Sequence, residues 1–216
     1  MPDPAGPRAV VLDFDGVVLE SVDVKTRAFE ELFRNEGPAA AARVVAYHEA
    51  NGGISRFEKF RWAYREVLRR PLAADEEKSL GERFNALVEE AVAAADWVPG
   101  AREFIVSWSA KRPLFLASGT PEGELRRLVE RRGLAASFRG VYGSPRSKAE
   151  ILAAVAAELS CAPLELVMVG DSVNDLEGAR AAGTRFVGRQ RGIGPFPPGT
   201  PCVEDLRGLE AALLRL

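Results

Sequence analysis

The sequence holds 216 residues, 47% of them hydrophobic and 28% charged, with a formal net charge of -2. That length buries a sizeable core as one large domain or as a domain with an insertion. The near-neutral charge gives no global field to draw in a nucleic acid or an anionic membrane, and two distant cysteines, Cys161 and Cys202, outside any C-x-x-C spacing, speak for a reduced, cytoplasmic protein.

The opening Met1–Pro7 is polar and proline-rich, and the apolar run after it stops at Asp13, too short for a signal-peptide core or a membrane span. Ala9–Leu12 reads as an interior strand that ends on Asp13-Phe14-Asp15-Gly16. Side chains two apart in an extended chain share a side, so Asp13 and Asp15 can address one point beyond the sheet edge. A plain Asp-Gly turn would account for the same residues.

Helical periodicity follows from about Val22 to Glu36 and is broken at Gly37-Pro38. An alanine-rich helix is expected as far as Ala50, ended by Asn51-Gly52-Gly53. Ser55 and Glu58 have capping-box spacing for a third helix that stops before Pro71, and a fourth spans roughly Asp75 to Ala95. Residues 21–97 thus read as all-helical. Beyond Trp97 the pattern alternates. Strands are expected at Leu114–Ala117, Phe138–Val141, Leu166–Val169 and Arg185–Val187, with helices between them and a last one from Leu206. Alternation implies an α/β fold, a Rossmann-like core of parallel strands made by residues 1–20 plus 98–216, with 21–97 inserted as an α-helical cap domain.

Ligands of such sheets sit outside the carboxyl ends of the strands, and those ends are polar. Ser118-Gly119-Thr120-Pro121 offers a hydroxyl, free backbone N–H groups and a helix start, a cradle for an anion. Thr120 reads as the cap of that helix and Ser118 as the functional hydroxyl, although capping alone would explain the stretch. Gly170-Asp171-Ser172-Val173-Asn174-Asp175 is a second acidic strand end, where Ser172 and Asp175 also fit a capping box. Carboxylates gathered there beside Asp13 and Asp15 would repel unless a cation lay between them, and hard oxygen ligands suit Mg²⁺. Lys148 falls in the first turn of a helix capped by Ser147, against the helix dipole, which is explained if its ammonium reaches carboxylates and phosphate, although a solvated surface lysine would tolerate the position too.

The ordered set Asp13-Phe14-Asp15-Gly16-Val17-Val18, Ser118-Gly119-Thr120, Lys148 and Gly170-Asp171-Ser172-Val173-Asn174-Asp175 resembles the haloacid dehalogenase superfamily, in particular its phosphatase-type members with a helical cap, similar to phosphoglycolate phosphatases and β-phosphoglucomutases. The resemblance implies a Mg²⁺-dependent hydrolase of small soluble phosphomonoesters, of phosphoglycolate or sugar-phosphate type, working through an aspartyl-phosphate. Asp13 would be the nucleophile and Asp15 the general acid and then base. Asp13, the backbone carbonyl of Asp15, Asp171 and Asp175 would serve the metal, and Ser118, Gly119 and Lys148 the phosphoryl group. Arg56, in Gly53-Ile54-Ser55-Arg56, matches a mutase loop whose arginine grips a second charged group, though an ion pair with Glu58 or another acid would also explain it. The mutase likeness stops at Lys25, where those enzymes carry histidine, since the one histidine here is His48. A phosphomutase, or a catalytically silent binding module of the same fold, is the alternative. The implied partner is a small phosphate ester, with no nucleic acid and no membrane, for a monomer or homodimer.

Overall fold

The computed structural model describes residues 6–216, so the expected polar leader lies outside the described residues as far as Ala5. Among the described residues a parallel sheet forms from β1 (Ala9–Leu12), β2 (Leu114–Pro121), β3 (Gly140–Ser144), β4 (Leu166–Gly170), β5 (Arg185–Arg189) and β6 (Cys202–Val203), in the order β3-β2-β1-β4-β5-β6. β1 lies at the centre, with Leu12 paired to Leu116 on one side and to Val169 on the other. Its four residues are fully buried, as a strand covered on both faces requires. The strand order reverses beside β1, between β2 and β4, where doubly wound sheets leave a crevice for ligands.

Alternating residues feed two cores. Val10, Leu12, Leu116, Val167 and Val169 face α5 (Ala101–Ser109), α6 (Glu122–Arg131) and α9 (Leu209–Leu213), through Ile105, Leu125 and Leu209. Ala9, Val11, Phe115 and Met168 face α7 (Lys148–Leu159) and α8 (Val173–Ala182), through Ile151, Val155 and Ala179. The period of two along each strand is what divides the side chains.

Between β1 and β2 the chain is helical: α1 (Val22–Phe33), α2 (Pro38–Ala50), α3 (Arg56–Trp62), running on as a π-helical turn over Ala63–Leu68, and α4 (Ala74–Ala94). An aromatic centre of Phe29, Phe33, Phe60 and Phe84 holds these helices together, with Phe29 and Phe84 centroids 4.8 Å apart. The chain leaves and re-enters the α/β part side by side, through a bridge between Leu19 and Trp97. Among the described residues no helix is long and apolar enough to cross a membrane.

The structure departs from the sequence reading in places. β2 runs on to Pro121, paired with Ser144 after a shift of register, so Thr120 belongs to the strand end and does not cap α6. β6, two residues long at the sheet edge, has no periodicity to reveal it. Ser55 caps α3 by accepting from Phe57 N, without the expected return bond from Glu58.

Candidate active site

Asp13, just past β1, continues the sheet pairing by donating its N–H to Val169 O at 2.9 Å. The chain then turns tightly, with Gly16 N–H donating to Leu19 O at 2.7 Å. Gly16 has φ +78°, and a side chain there would collide with the Asp171 carboxylate, so glycine lets the two acidic strand ends approach. Arg189 fixes this turn from β5, donating to Gly16 O at 3.0 Å and pairing with Glu20 at 2.6 Å.

Asp13, Asp171 and Asp175 each place a carboxylate oxygen within 4.8 Å of the others. Lys148 enters the cluster from the first turn of α7, held there by the Ser147–Glu150 capping box. Its ammonium donates to Asp13 Oδ1 and to the Ala117 carbonyl, each at 2.5 Å, and forms an ion pair with Asp175 Oδ1 at 2.7 Å. Asp175 also closes the Ser172 capping box of α8 through Oδ2, at 2.6 Å from Ser172 Oγ. It is therefore both a cap and a partner of Lys148.

One ammonium among three carboxylates leaves the cluster under-neutralised. Burial first, and then Asp175 and Asp15 working against Lys148, push Asp13 up to about 7. Asp171 is raised too, by burial and by the Asp13 and Asp175 charges. Burial alone would lower Lys148, but Asp13 and Asp175 raise it, so the lysine stays charged. An all-oxygen donor set with excess negative charge fits a hard divalent cation such as Mg²⁺.

Asp15 points elsewhere. Its carboxylate forms an ion pair with Lys25 of α1, accepts from Ser21 Oγ at 2.6 Å and accepts from Thr120 Oγ1 at 3.2 Å. Lys25 also donates to Thr120 Oγ1 at 2.8 Å. Burial would raise Asp15, yet the Lys25 ammonium and these hydrogen bonds hold it below the usual carboxylate range. Ser118 is buried, and its Oγ accepts from Thr120 N at 3.1 Å, leaving the hydroxyl proton free for another acceptor.

A cavity of about 220 Å³ opens on these groups and reaches across to the helical segment. Asp13, Asp15, Ser118, Gly119 and Asp171 line one side, and Lys25, His48, Arg56 and Lys59 the other. Arg56 Nη2 lies 2.5 Å from Glu124 Oε2 of α6, and its guanidinium lies over the Phe84 ring. Its other terminal nitrogen, Nη1, is buried without a partner. The expected acid for Arg56 is thus Glu124 rather than Glu58, a choice that sequence spacing could not make.

The sequence model of haloacid dehalogenase-like hydrolases matches residues 7–183. The chain belongs to that family. A phosphoglycolate phosphatase of Pseudomonas putida is 28% identical, over 94% of this chain and 78% of its own length. Among solved structures, a haloacid dehalogenase-like family hydrolase from Streptococcus pneumoniae superposes with a TM-score of 0.72 at 18% identity, covering 95% of this chain and 98% of its own. The hydrolase YfnB of Bacillus subtilis, solved bound to magnesium, gives 0.72 at 16% identity, over 96% and 99% of the two chains. Membership makes the chain a hydrolase, and the curated relatives it matches are phosphatases.

Three residues of the candidate site are not singled out by the sequence: Thr120 reads as a helix cap, Lys25 only marks a missing histidine, and His48 stands out only as the one histidine. A signal for Lys25 existed: it lies one turn from Ser21, and both side chains meet Asp15.

Proposed function

We propose that this chain is a Mg²⁺-dependent phosphomonoesterase of a small, soluble, anionic ester, of phosphoglycolate or sugar-phosphate type, which forms an aspartyl-phosphate on Asp13. The observation that carries this reading is the meeting of Asp13, Asp171, Asp175 and Lys148 beside a cavity that Asp13, Asp15 and Asp171 line. Asp13, Asp171, Asp175 and the Asp15 carbonyl would hold the metal, which supplies charge neutralisation at the phosphoryl oxygens and keeps Asp13 ionised. Ser118 O–H and the Gly119 backbone would hold the phosphoryl group, since transfer is mostly positioning and electrostatics.

In the first step an Asp13 oxygen bonds to phosphorus, the ester P–O bond breaks, and the leaving oxygen takes the proton of Asp15. In the second, Asp15 takes a proton from water, the water oxygen bonds to phosphorus, and the Asp13–phosphorus bond breaks to release phosphate. Lys25 favours the Asp15 carboxylate, the form that serves as base in the second step, so the proton that Asp15 passes on in the first step arrives with the monoanionic phosphate of the ester. The helical residues 21–97 act as a cap, excluding water during transfer. Two free thiols, Cys161 and Cys202, fit a cytoplasmic setting.

A phosphate-release screen over small phosphomonoesters, with and without Mg²⁺, tests the reading, with Asp13→Asn as the blank. Turnover that survives Asp13→Asn or chelation would sink it.

A further inference from the structure

Arg56 and Lys59 lie three residues apart on α3, hence on one face, and both are buried against the cavity. Their partners differ. Arg56 has the Glu124 carboxylate at 2.5 Å. Among the described residues Lys59 has no carboxylate at ion-pair distance. Its ammonium meets only neutral groups: His48 Nδ1 at 2.8 Å, the His48 carbonyl at 3.4 Å, and the Phe29 ring, whose centroid lies 5.7 Å away.

An ammonium has three donors, and His48 accounts for two at most. Burying a cation without a counter-charge is costly, and packing alone would be served better by methionine. His48 is in turn fixed by stacking on Phe29 at 4.5 Å. Burial, and after it the Lys59 ammonium, hold His48 down at about 3, so the ring is neutral and Nδ1 accepts. The pair lines the cavity, with one ammonium donor left over.

We propose that Lys59, positioned by His48, binds a second anionic group of the substrate, a carboxylate or a further phosphate, at the cap end of the cavity. The inference rests on the phosphoryl group lying at Asp13, and it adds what the other end of the ester must carry. An entering anion supplies the missing counter-charge beside the Phe29 and Phe84 rings that line the cavity, where low polarity strengthens the attraction. Other charges facing Lys59 are Lys25 from α1, Glu58 on α3 itself, and Asp15 and Asp171 from the strand ends. None of these carboxylates reaches it.

The test is calorimetric titration of Mg²⁺-loaded protein with three probes: phosphonoacetate, ethylphosphonate, which lacks the carboxylate, and ethylenediphosphonate. Phosphonoacetate or ethylenediphosphonate should bind about tenfold or more tightly than ethylphosphonate, the size expected of a charge-assisted contact. Which of the two wins names the second anion. Lys59→Met should bring the preferred probe down to the level of ethylphosphonate, and Lys59→Arg should recover part of the preference. His48→Phe, which keeps the stack on Phe29, should raise KM for the carboxylated or doubly phosphorylated ester with little change in kcat. Circular dichroism checks each variant's fold, and Lys59→Gln replaces Lys59→Met if the latter does not fold. Equal binding of all three probes by the unaltered protein, or a preference that survives Lys59→Met, overturns the inference and leaves the phosphatase reading standing. Failure to bind any of the phosphonates overturns both.

Discussion

The Lys148 ammonium stands 2.5 Å from Asp13 Oδ1 across a separation of 135 residues, inside a cluster where it is outnumbered by carboxylates. The metal-free fold therefore carries unbalanced negative charge, and its stability should depend on pH. Burial and the neighbouring acids raise the Asp13 carboxyl from an ordinary 3.8 to about 7. A raised folded-state value means that folding favours the protonated form. The contribution is present in full below 3.8 and is lost as pH rises through about 7. The thermal midpoint of chelated protein should fall between about pH 5 and about pH 8, and Mg²⁺ should raise it most at the upper end. Scanning calorimetry with and without Mg²⁺ measures this. A Mg²⁺ increment independent of pH would count against Asp13 as a ligand.

Asp15 lies apart from that cluster, on Lys25, Ser21 and Thr120, so its loss should leave metal binding in place and interrupt proton transfer. With p-nitrophenyl phosphate the leaving group needs no proton, and Asp15→Asn should still form the aspartyl-phosphate. The second step then lacks its base. A burst of about one p-nitrophenolate per enzyme should precede a steady rate lowered by roughly 10²–10⁴, the usual weight of acid–base catalysis. Stopped-flow absorbance reads both phases. A slow rate with no burst would place the role of Asp15 in the first step or outside catalysis.

Gly119 and Gly53 bring core and cap into backbone contact, since a side chain on Gly119 would strike the Gly53 carbonyl and the Ile54 backbone. Backbone cannot give way as a flexible side chain can, so Gly119→Ala should hold the cap off the core. Overpacking of this kind costs about 1–3 kcal/mol where it must be absorbed, and here it is relieved by partial opening. The expected result is kcat/KM lowered at least about tenfold with a small loss of thermal midpoint. Unchanged kinetics would mean that the contact plays no part in turnover.

The strand ends were legible because the physics there is local. An apolar run stops at an acid, a capping box sets a helix start, and the positions of Asp13, Lys148 and Asp171 follow from those two patterns, whereas Ser118 lies within β2. The cap side was not legible. Helical periodicity places Arg56 on a face but does not say that α6 brings Glu124 against it. His48 lies on an alanine-rich helix with little contrast between its faces, and its contacts with Lys59 and Phe29 come from α3 and α1. Thr120 was misread because a register shift between β2 and β3 lengthens the strand, an effect of pairing that no single segment carries.

Lys59 permits a test that sets stability against recognition. Burial first, and then the Lys25 charge, lower its ammonium from an ordinary 10.5 to about 7. For a base with a depressed folded-state value, folding favours the neutral form. The destabilisation from burying its charge is largest below about 7, shrinks as pH rises above that, and vanishes beyond 10.5. Lys59→Met keeps the length and apolar contacts of the chain and removes that burden, so it should raise the thermal midpoint, by more at about pH 6 than at about pH 9. The same variant should weaken binding of a substrate with two anionic groups, as an ammonium kept for recognition rather than for packing requires. Thermal unfolding at the two pH values, read beside KM, checks the pair of effects. A variant destabilised to the same extent at both would show that Lys59 is a structural group held by His48.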